Sequence, residues 1–188
     1  MDLASPATAT PAPAFAEDLS SHDARPSVIS VERLRHSPAE PLATLVMDSE
    51  TQGVRFVRRL VDEWVTGVNR FDQPGEALFF ARRASTVVGV CGLNVDPHVE
   101  TDGERRVGRV RHLYVVSTHR RLGIGDRLLG EVLAAARGVF ELVRLRTGNP
   151  AAAALYERRG FRPTGGDPHC THIIAVDGST GGAMRFLT

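Results

Sequence analysis

Residues 109–126, RVRHLYVVSTHRRLGIGD, constrain this chain more than any other stretch. RVRHLYVV, residues 109–116, reads as a strand of β-branched and aromatic residues. It runs into HRRLGIGD, a basic turn with two glycines. Beyond the turn Ile124, Leu128, Leu129, Val132, Leu133 and Ala136 recur at helical steps up to Gly138. A strand that feeds a glycine-rich turn and opens a helix is an anion site: backbone N–H groups point outward, the helix dipole favours negative charge, and glycine allows close approach. Phosphate is the natural guest.

Two familiar phosphate patterns fail on the residues present. A dinucleotide fingerprint needs a third glycine at position 128, where the chain has Leu128. A P-loop needs a Gly-Lys pair, and all 23 basic residues of this chain are arginine. The absence of lysine also removes Schiff-base chemistry and a lysine nucleophile.

The rest of the chain supplies elements around that turn. The Ala/Pro-rich stretch over residues 1–26 is expected to be a flexible tail, and residues 27–188 a single domain, the size that 188 residues support. VISVERLR from Val28 alternates as a first strand. Val54, Val57, Leu60, Val61, Trp64, Val65 and Val68 predict an amphipathic helix with Trp64 in the core. ALFFARR and TVVGVCGLNV read as a hairpin through Ala84 and Ser85, followed by the polar loop DPHVETDGERR. ELVRLR is a further strand. PAAAALYERR is a helix with Asn149 as N-cap, Pro150 at its first position and Gly160 past its end. HCTHIIAV and AMRFLT are expected as closing strands.

With 42% hydrophobic and 24% charged residues and a net charge of +1, the chain has the balance of a globular protein and little long-range attraction for nucleic acid or anionic lipid. No apolar run reaches the ~18 residues that span a bilayer. The first positive side chain is Arg25, which is unlike a secretion signal, and two cysteines, Cys91 and Cys170, make no disulfide framework. Both features lead us to expect a cytoplasmic protein. His169, Cys170 and His172 lie too close together in one strand to converge on a metal, so no metal site is expected.

Arg120-Arg121-Leu122-Gly123-Ile124-Gly125 resembles the acyl-CoA-binding signature of the GCN5-related N-acetyltransferase family. NPAAAALYERRGF is similar to the same family's second signature, an asparagine, a small residue three on, Leu-Tyr and a closing Gly-Phe. With the strands between them the two motifs cover residues from about 86 to 176. The resemblance implies an α/β fold, a mixed, bent sheet of about six or seven strands flanked by about four helices. It also implies acetyl transfer from acetyl-CoA, as acyl donor substrate, to an amine by direct attack on the thioester.

By that resemblance the pyrophosphate lies over Arg121, Leu122, Gly123, Ile124, Gly125 and Asp126, with charge from Arg120 and Arg121. Leu113, Tyr114 and Val115 present backbone groups to the pantetheine, and Asn149 approaches it from the opposite side. Tyr156 matches the general acid that protonates the departing thiolate. The family's usual glutamate before the central Leu-x-Val is replaced by Arg109, Val110 and Arg111. His112 is the expected base, with Glu100, Asp102, Glu104 or no side-chain base as alternatives. Arg105, Arg106, Arg109 and Arg111 suggest an acceptor that also carries a carboxylate or phosphate. A small-molecule amine is expected, a protein or peptide amine remains open, and the family resemblance allows a homodimer. The rival reading is a CoA-binding sensor or interaction domain with weak catalysis.

Overall fold

The computed structural model describes residues 28–34, 42–99 and 106–176. The expected tail over residues 1–26 and the expected strand AMRFLT lie outside them. Along the chain run β1 (Ile29–Arg33), α1 (Ala43–Thr51), α2 (Phe56–Thr66), β2 (Ala77–Arg83), β3 (Thr86–Val95) and β4 (Val107–Val115). A short 3-10 turn at Ser117–His119 leads to α3 (Ile124–Ala136), β5 (Leu142–Leu145), α4 (Pro150–Arg158), β6 (Arg162–Pro163) and β7 (His172–Ala175). The strands form one seven-stranded sheet in the order β1-β2-β3-β4-β5-β7-β6. Its first four strands are an antiparallel meander, and β4 to β5 is its parallel step, with α3 as the crossover. The mixed sheet and four helices agree with the expected α/β architecture.

β3 explains why the sheet is covered on both faces, because eight successive residues from Val87 to Asn94 are buried. Such a strand has no solvent face and reads as a continuous apolar run. Two of its glycines mark the helix layers. A Cβ on Gly89 would stand 3.0 Å from Leu128 and 3.3 Å from Ile124 of α3, whereas one on Gly92 would stand 2.4 Å from the Phe71 ring beyond α2. The chain is thus pressed close to α3 on one side and to the segment after α2 on the other.

α3 buries Ile124, Leu128, Leu129, Val132, Leu133 and Ala136, the whole stripe expected of it. Each fully buried leucine contributes about 1.5–3 kcal/mol. We expect Leu128→Ala, at a side chain with no exposed surface, to destabilise the fold by about 2–5 kcal/mol. Urea unfolding should show a lower midpoint at an unchanged slope.

The structure corrects the sequence reading in three places. The helix expected over Val54–Val68 is shorter: Gly67 turns left-handed at φ 80° and donates its N–H to the Trp64 carbonyl, so the helix stops at Thr66. Val65 and Val68 are therefore exposed, and Trp64 is half-buried against the core rather than within it. Helix α1 has no side-chain cap and only a short apolar pattern, Leu45 and Val46 with Leu42 before it, which left no sequence signal. β6 is two residues long and exists only by pairing with β7.

Candidate active site

β4 and β5 pair only at their starts, from Val107 opposite Leu142 to Arg109 opposite Arg144. Beyond that point β5 remains bonded to β7, while β4 continues alone on that edge to Val115. The backbone of Val110–Val115 consequently borders a cleft of about 1290 Å³ rather than another strand. On its other edge β4 carries a bulge: His112 and Leu113 together face Cys91, between the pairs Gly92 with Arg111 and Val90 with Tyr114. His112 is left-handed there, at φ 58°. A non-glycine residue in that region costs on the order of 1–3 kcal/mol and persists only where the surroundings enforce it. Bulges of this kind bend a strand and re-aim its groups.

At the end of β4 the chain turns through Arg121 at φ 67° and Gly123 at φ 76° before α3 begins. No side chain caps α3, and the first bond of the helix runs from the Arg127 N–H to the Gly123 carbonyl. The amides of Ile124, Gly125 and Asp126 have no acceptor within the helix, which is what makes a helix N-terminus receptive to anions. The Asp126 carboxylate is held by Arg159 of the α4 end, whose guanidinium lowers its pKa below the usual range. Leu122 has an exposed side chain and does not line the cleft, the exception among the predicted site residues.

The turn is held from behind by α1. Asp48 accepts from the Tyr114 hydroxyl at 2.6 Å, the Ser117 N–H at 2.9 Å and the Ser117 hydroxyl at 2.6 Å. Burial pushes the Tyr114 phenol up to about 12, and the neighbouring Asp48 adds to the shift. Arg120, expected to offer its charge to phosphate, folds back: its Nε donates to the Val115 carbonyl at 3.1 Å and Nη2 to the Tyr114 hydroxyl at 3.2 Å. Arg121 has no partner among the described residues, and it lines the cleft.

Burial alone would raise the Asp48 carboxyl, but the bonds from Ser117 and Tyr114 and the Arg120 charge outweigh it and hold its pKa below the usual value. Both Asp48 and Asp126 are thus depressed in the folded state. Their stabilisation is fully present above the unfolded carboxyl pKa of about 3.9 and is lost as pH falls through the lower folded values. Urea titrations should show stability from these two groups unchanged down to about pH 5 and falling below about pH 4. Asp48→Asn together with Asp126→Asn should flatten that fall.

The opposite wall comes from β5 and α4. Asn149 caps α4, its Oδ1 accepting from the Ala151 N–H at 2.9 Å. Seven residues on, Tyr156 lies with its ring edge-on to Phe161 at 5.6 Å and is 6% exposed. Its hydroxyl makes no hydrogen bond with the described residues. Burial, with a smaller contribution from Cys91, pushes the Tyr156 phenol well above its ordinary pKa. It therefore stays protonated at neutral pH.

His112 lines the cleft but is 8% exposed. Its Nδ1 lies 3.1 Å from the Phe56 carbonyl, so Nδ1 carries the proton and Nε2 is a bare lone pair, 4.0 Å from Glu63. Burial first, then the Arg111 and Arg59 charges, depress its pKa to about 3. That geometry weighs against His112 as the proton acceptor expected from sequence. Among the expected alternatives Glu100, Asp102 and Glu104 lie outside the described residues. Glu63 of α2 went unnoticed because it sits among surface-type charges on an amphipathic helix; the fold puts it beside Arg111 at 3.3 Å.

The arginines expected to face an anionic acceptor are also largely engaged. Arg109 pairs with buried Asp96 and donates to the His169 carbonyl, Arg111 pairs with Glu63, and Arg106 lies over the Phe140 ring. Arg105 is outside the described residues. Arg106, Arg109 and Arg111 each found a partner elsewhere in the fold that no sequence pattern revealed.

A central strand that parts from its neighbour, a bulge in it, and an uncapped glycine turn at its end are all in place. The profile of the acetyltransferase (GNAT) family matches residues 42–161, most of the chain. The chain belongs to that family. Among proteins of this kind it is similar to the N-alpha-acetyltransferase RimI of Mycobacterium tuberculosis, at 36% identity over 92 residues, 45% of this chain and 51% of that protein. It is also similar to human N-acetyltransferase 8, at 40% identity over 101 residues, 51% of this chain and 43% of that protein. The chain thus spans about half the length of these curated relatives. In three dimensions it resembles the crystal structure of a candidate acetyltransferase from Exiguobacterium sp. 255-15, with a TM-score of 0.66, 25% identity, and coverage of 79% of this chain and 93% of that one. The GNAT membership agrees with the two motifs that first suggested it, and among the described residues no helix is long and apolar enough to cross a membrane.

Proposed function

We propose that residues 27–188 form one N-acetyltransferase domain that moves an acetyl group from acetyl-CoA to an amine, working in the cytoplasm. The observation that carries this reading is the free edge of β4 from Val110 to Val115, which runs directly into the uncapped N-terminus of α3. The edge suits a pantetheine arm, whose amides pair as a strand does, and the turn suits a pyrophosphate. Arg121 and the amides of residues 124–126 supply donors there. Hydrogen bonds to charged groups contribute about 1.5–3 kcal/mol each, against about 0.3–1 from the helix dipole, so these donors dominate the affinity.

In the reaction the amine nitrogen attacks the thioester carbon, the carbon–sulfur bond breaks, and the thiolate takes a proton. A backbone N–H of the bulge around Leu113 to Val115 is the donor for the developing oxyanion, and such oriented donors are worth about 2.7–4 kcal/mol. Tyr156 gives the thiolate its proton. Its raised pKa makes that transfer uphill in water, but a thiolate against the same dry wall is also more basic, and contact replaces a diffusive encounter. The proton lost by the amine passes to water, since His112 is too weak a base in its buried position. Asn149 acts by starting α4 where Tyr156 faces the cleft.

The test is thiol release from acetyl-CoA across a panel of amines, with CoA binding followed by calorimetry. Amine-dependent release together with saturable binding is expected. Saturable binding without turnover of any amine would favour the sensor, and no heat on adding CoA to folded protein would end both readings.

A further inference from the structure

The far end of the cleft carries charge of its own. Past the bulge, away from the α3 turn, its walls are Val54, Phe56 and Arg59 from the α1–α2 side, His98 from the turn after β3, and Arg109 and Arg111 from β4. The charges here differ in what they face. Arg109 is neutralised by Asp96, a side chain with no exposed surface, and Arg111 by Glu63. His112 is neutral, its Nδ1–H spent on Phe56. Arg59 is exposed, and its guanidinium has no partner among the described residues. Its charge nevertheless reaches the bulge, since it is one of the groups that disfavour a proton on His112. Among the described residues that line the cleft the one carboxylate is Asp126, at the opposite end and already held by Arg159.

We infer that Arg59 is a specificity-determining residue that binds the carboxylate of an amine acceptor of the α-amino acid class. The inference rests on the acetyltransferase reading and names the substrate of that same site. The physical reason is twofold. An unpaired guanidinium on the wall of a cleft favours a planar anion that it can hold through two parallel N–H donors. A positive wall beside the reacting centre also disfavours the ammonium form of the acceptor, so the amine arrives in the neutral state that attack requires. A polyamine has the opposite complement: it would bring two or more positive charges to the Arg59 guanidinium, and the described residues of this wall offer no free carboxylate. The apolar side chains of Val54 and Phe56 beside Arg59 leave an uncharged surface for the remainder of the acceptor.

The experiment compares phenylalanine and leucine with their α-amides as acceptors, in wild type and Arg59→Gln. The two members of each pair differ in the carboxylate, and the amide's amine is the less basic and so the more available. A preference for the amide is therefore what chemistry alone produces. Wild type is expected to prefer the free acids in kcat/KM by at least tenfold, through KM, and Arg59→Gln to bring that ratio down to one or below. Equal ratios in the two proteins would overturn the inference, as would wild-type preference for the amides. A second readout is independent of turnover: calorimetry of N-acetylphenylalanine and N-acetylphenylalaninamide binding to the CoA-loaded protein. If no amine is acetylated yet the acid binds at least tenfold tighter than the amide, and the difference vanishes in Arg59→Gln, the activity fails and the carboxylate site stands. If amines are acetylated and neither protein distinguishes acid from amide, the activity stands and the carboxylate site is wrong. Circular dichroism confirms that Arg59→Gln folds; should it not, Arg59→Lys, which keeps the charge and loses the fork, is expected to retain part of the preference.

Discussion

Tyr156→Phe should lower kcat at least about tenfold, a loss of 1.4 kcal/mol or more in transition-state stabilisation, while leaving the CoA dissociation constant within about twofold. The hydroxyl is the single group removed. It makes no hydrogen bond with the described residues, so its loss opens no hole in a polar network, and the ring keeps its edge-on contact with Phe161. Stability should therefore change little, and a general acid typically accounts for about 10²–10⁴-fold in rate. The phenol is pushed up by burial, so wild-type activity should show no loss near pH 10 that can be ascribed to this group. Equal kcat in the two proteins would remove Tyr156 from the chemistry and return it to the role of a buried aromatic.

Arg121→Glu is expected to weaken CoA binding by about tenfold to a hundredfold, the equivalent of one charge-assisted hydrogen bond of about 1.5–3 kcal/mol. Arg121 is exposed and has no partner among the described residues, so little of the fold depends on its side chain. The effect should shrink in high salt, because a surface charge is screened over about 10 Å at 0.1 M ionic strength. The neighbouring Arg120 makes the useful contrast. Its guanidinium is committed to the Val115 carbonyl and the Tyr114 hydroxyl, so Arg120→Gln should lower thermal stability as well as affinity. If Arg121→Glu binds CoA as wild type does, the turn is not the phosphate cradle.

These contrasts also separate two kinds of information. The turn 119–126 and the helix from Asn149 were legible in one dimension because each is specified by neighbours in sequence: glycine for a left-handed step, asparagine and proline for a helix start, a stripe of leucines for a buried face. The same is true of the hairpin through Ala84 and Ser85, where two apolar runs meet at a short turn. The arginines expected to face an acceptor, Arg106, Arg109 and Arg111, are engaged elsewhere in the fold. Arg109 and Arg111 look free in sequence, and their partners, Asp96 and Glu63, stand 13 and 48 positions away. Arg59 looks like one of several surface charges on an amphipathic helix, and its guanidinium is left without a partner among the described residues.

By itself the sequence determined the α/β element order, the family, and the glycine turn and capped helix that border the cleft, because those follow from local backbone preferences and residue types. Tertiary structure alone decided that β4 leaves β5 after Arg109, that His112 is the strained residue of a bulge where burial disfavours a second proton, and which guanidiniums of the described residues remain free. Strand separation, burial and ion pairing all depend on elements distant in the chain, so no local pattern encodes them.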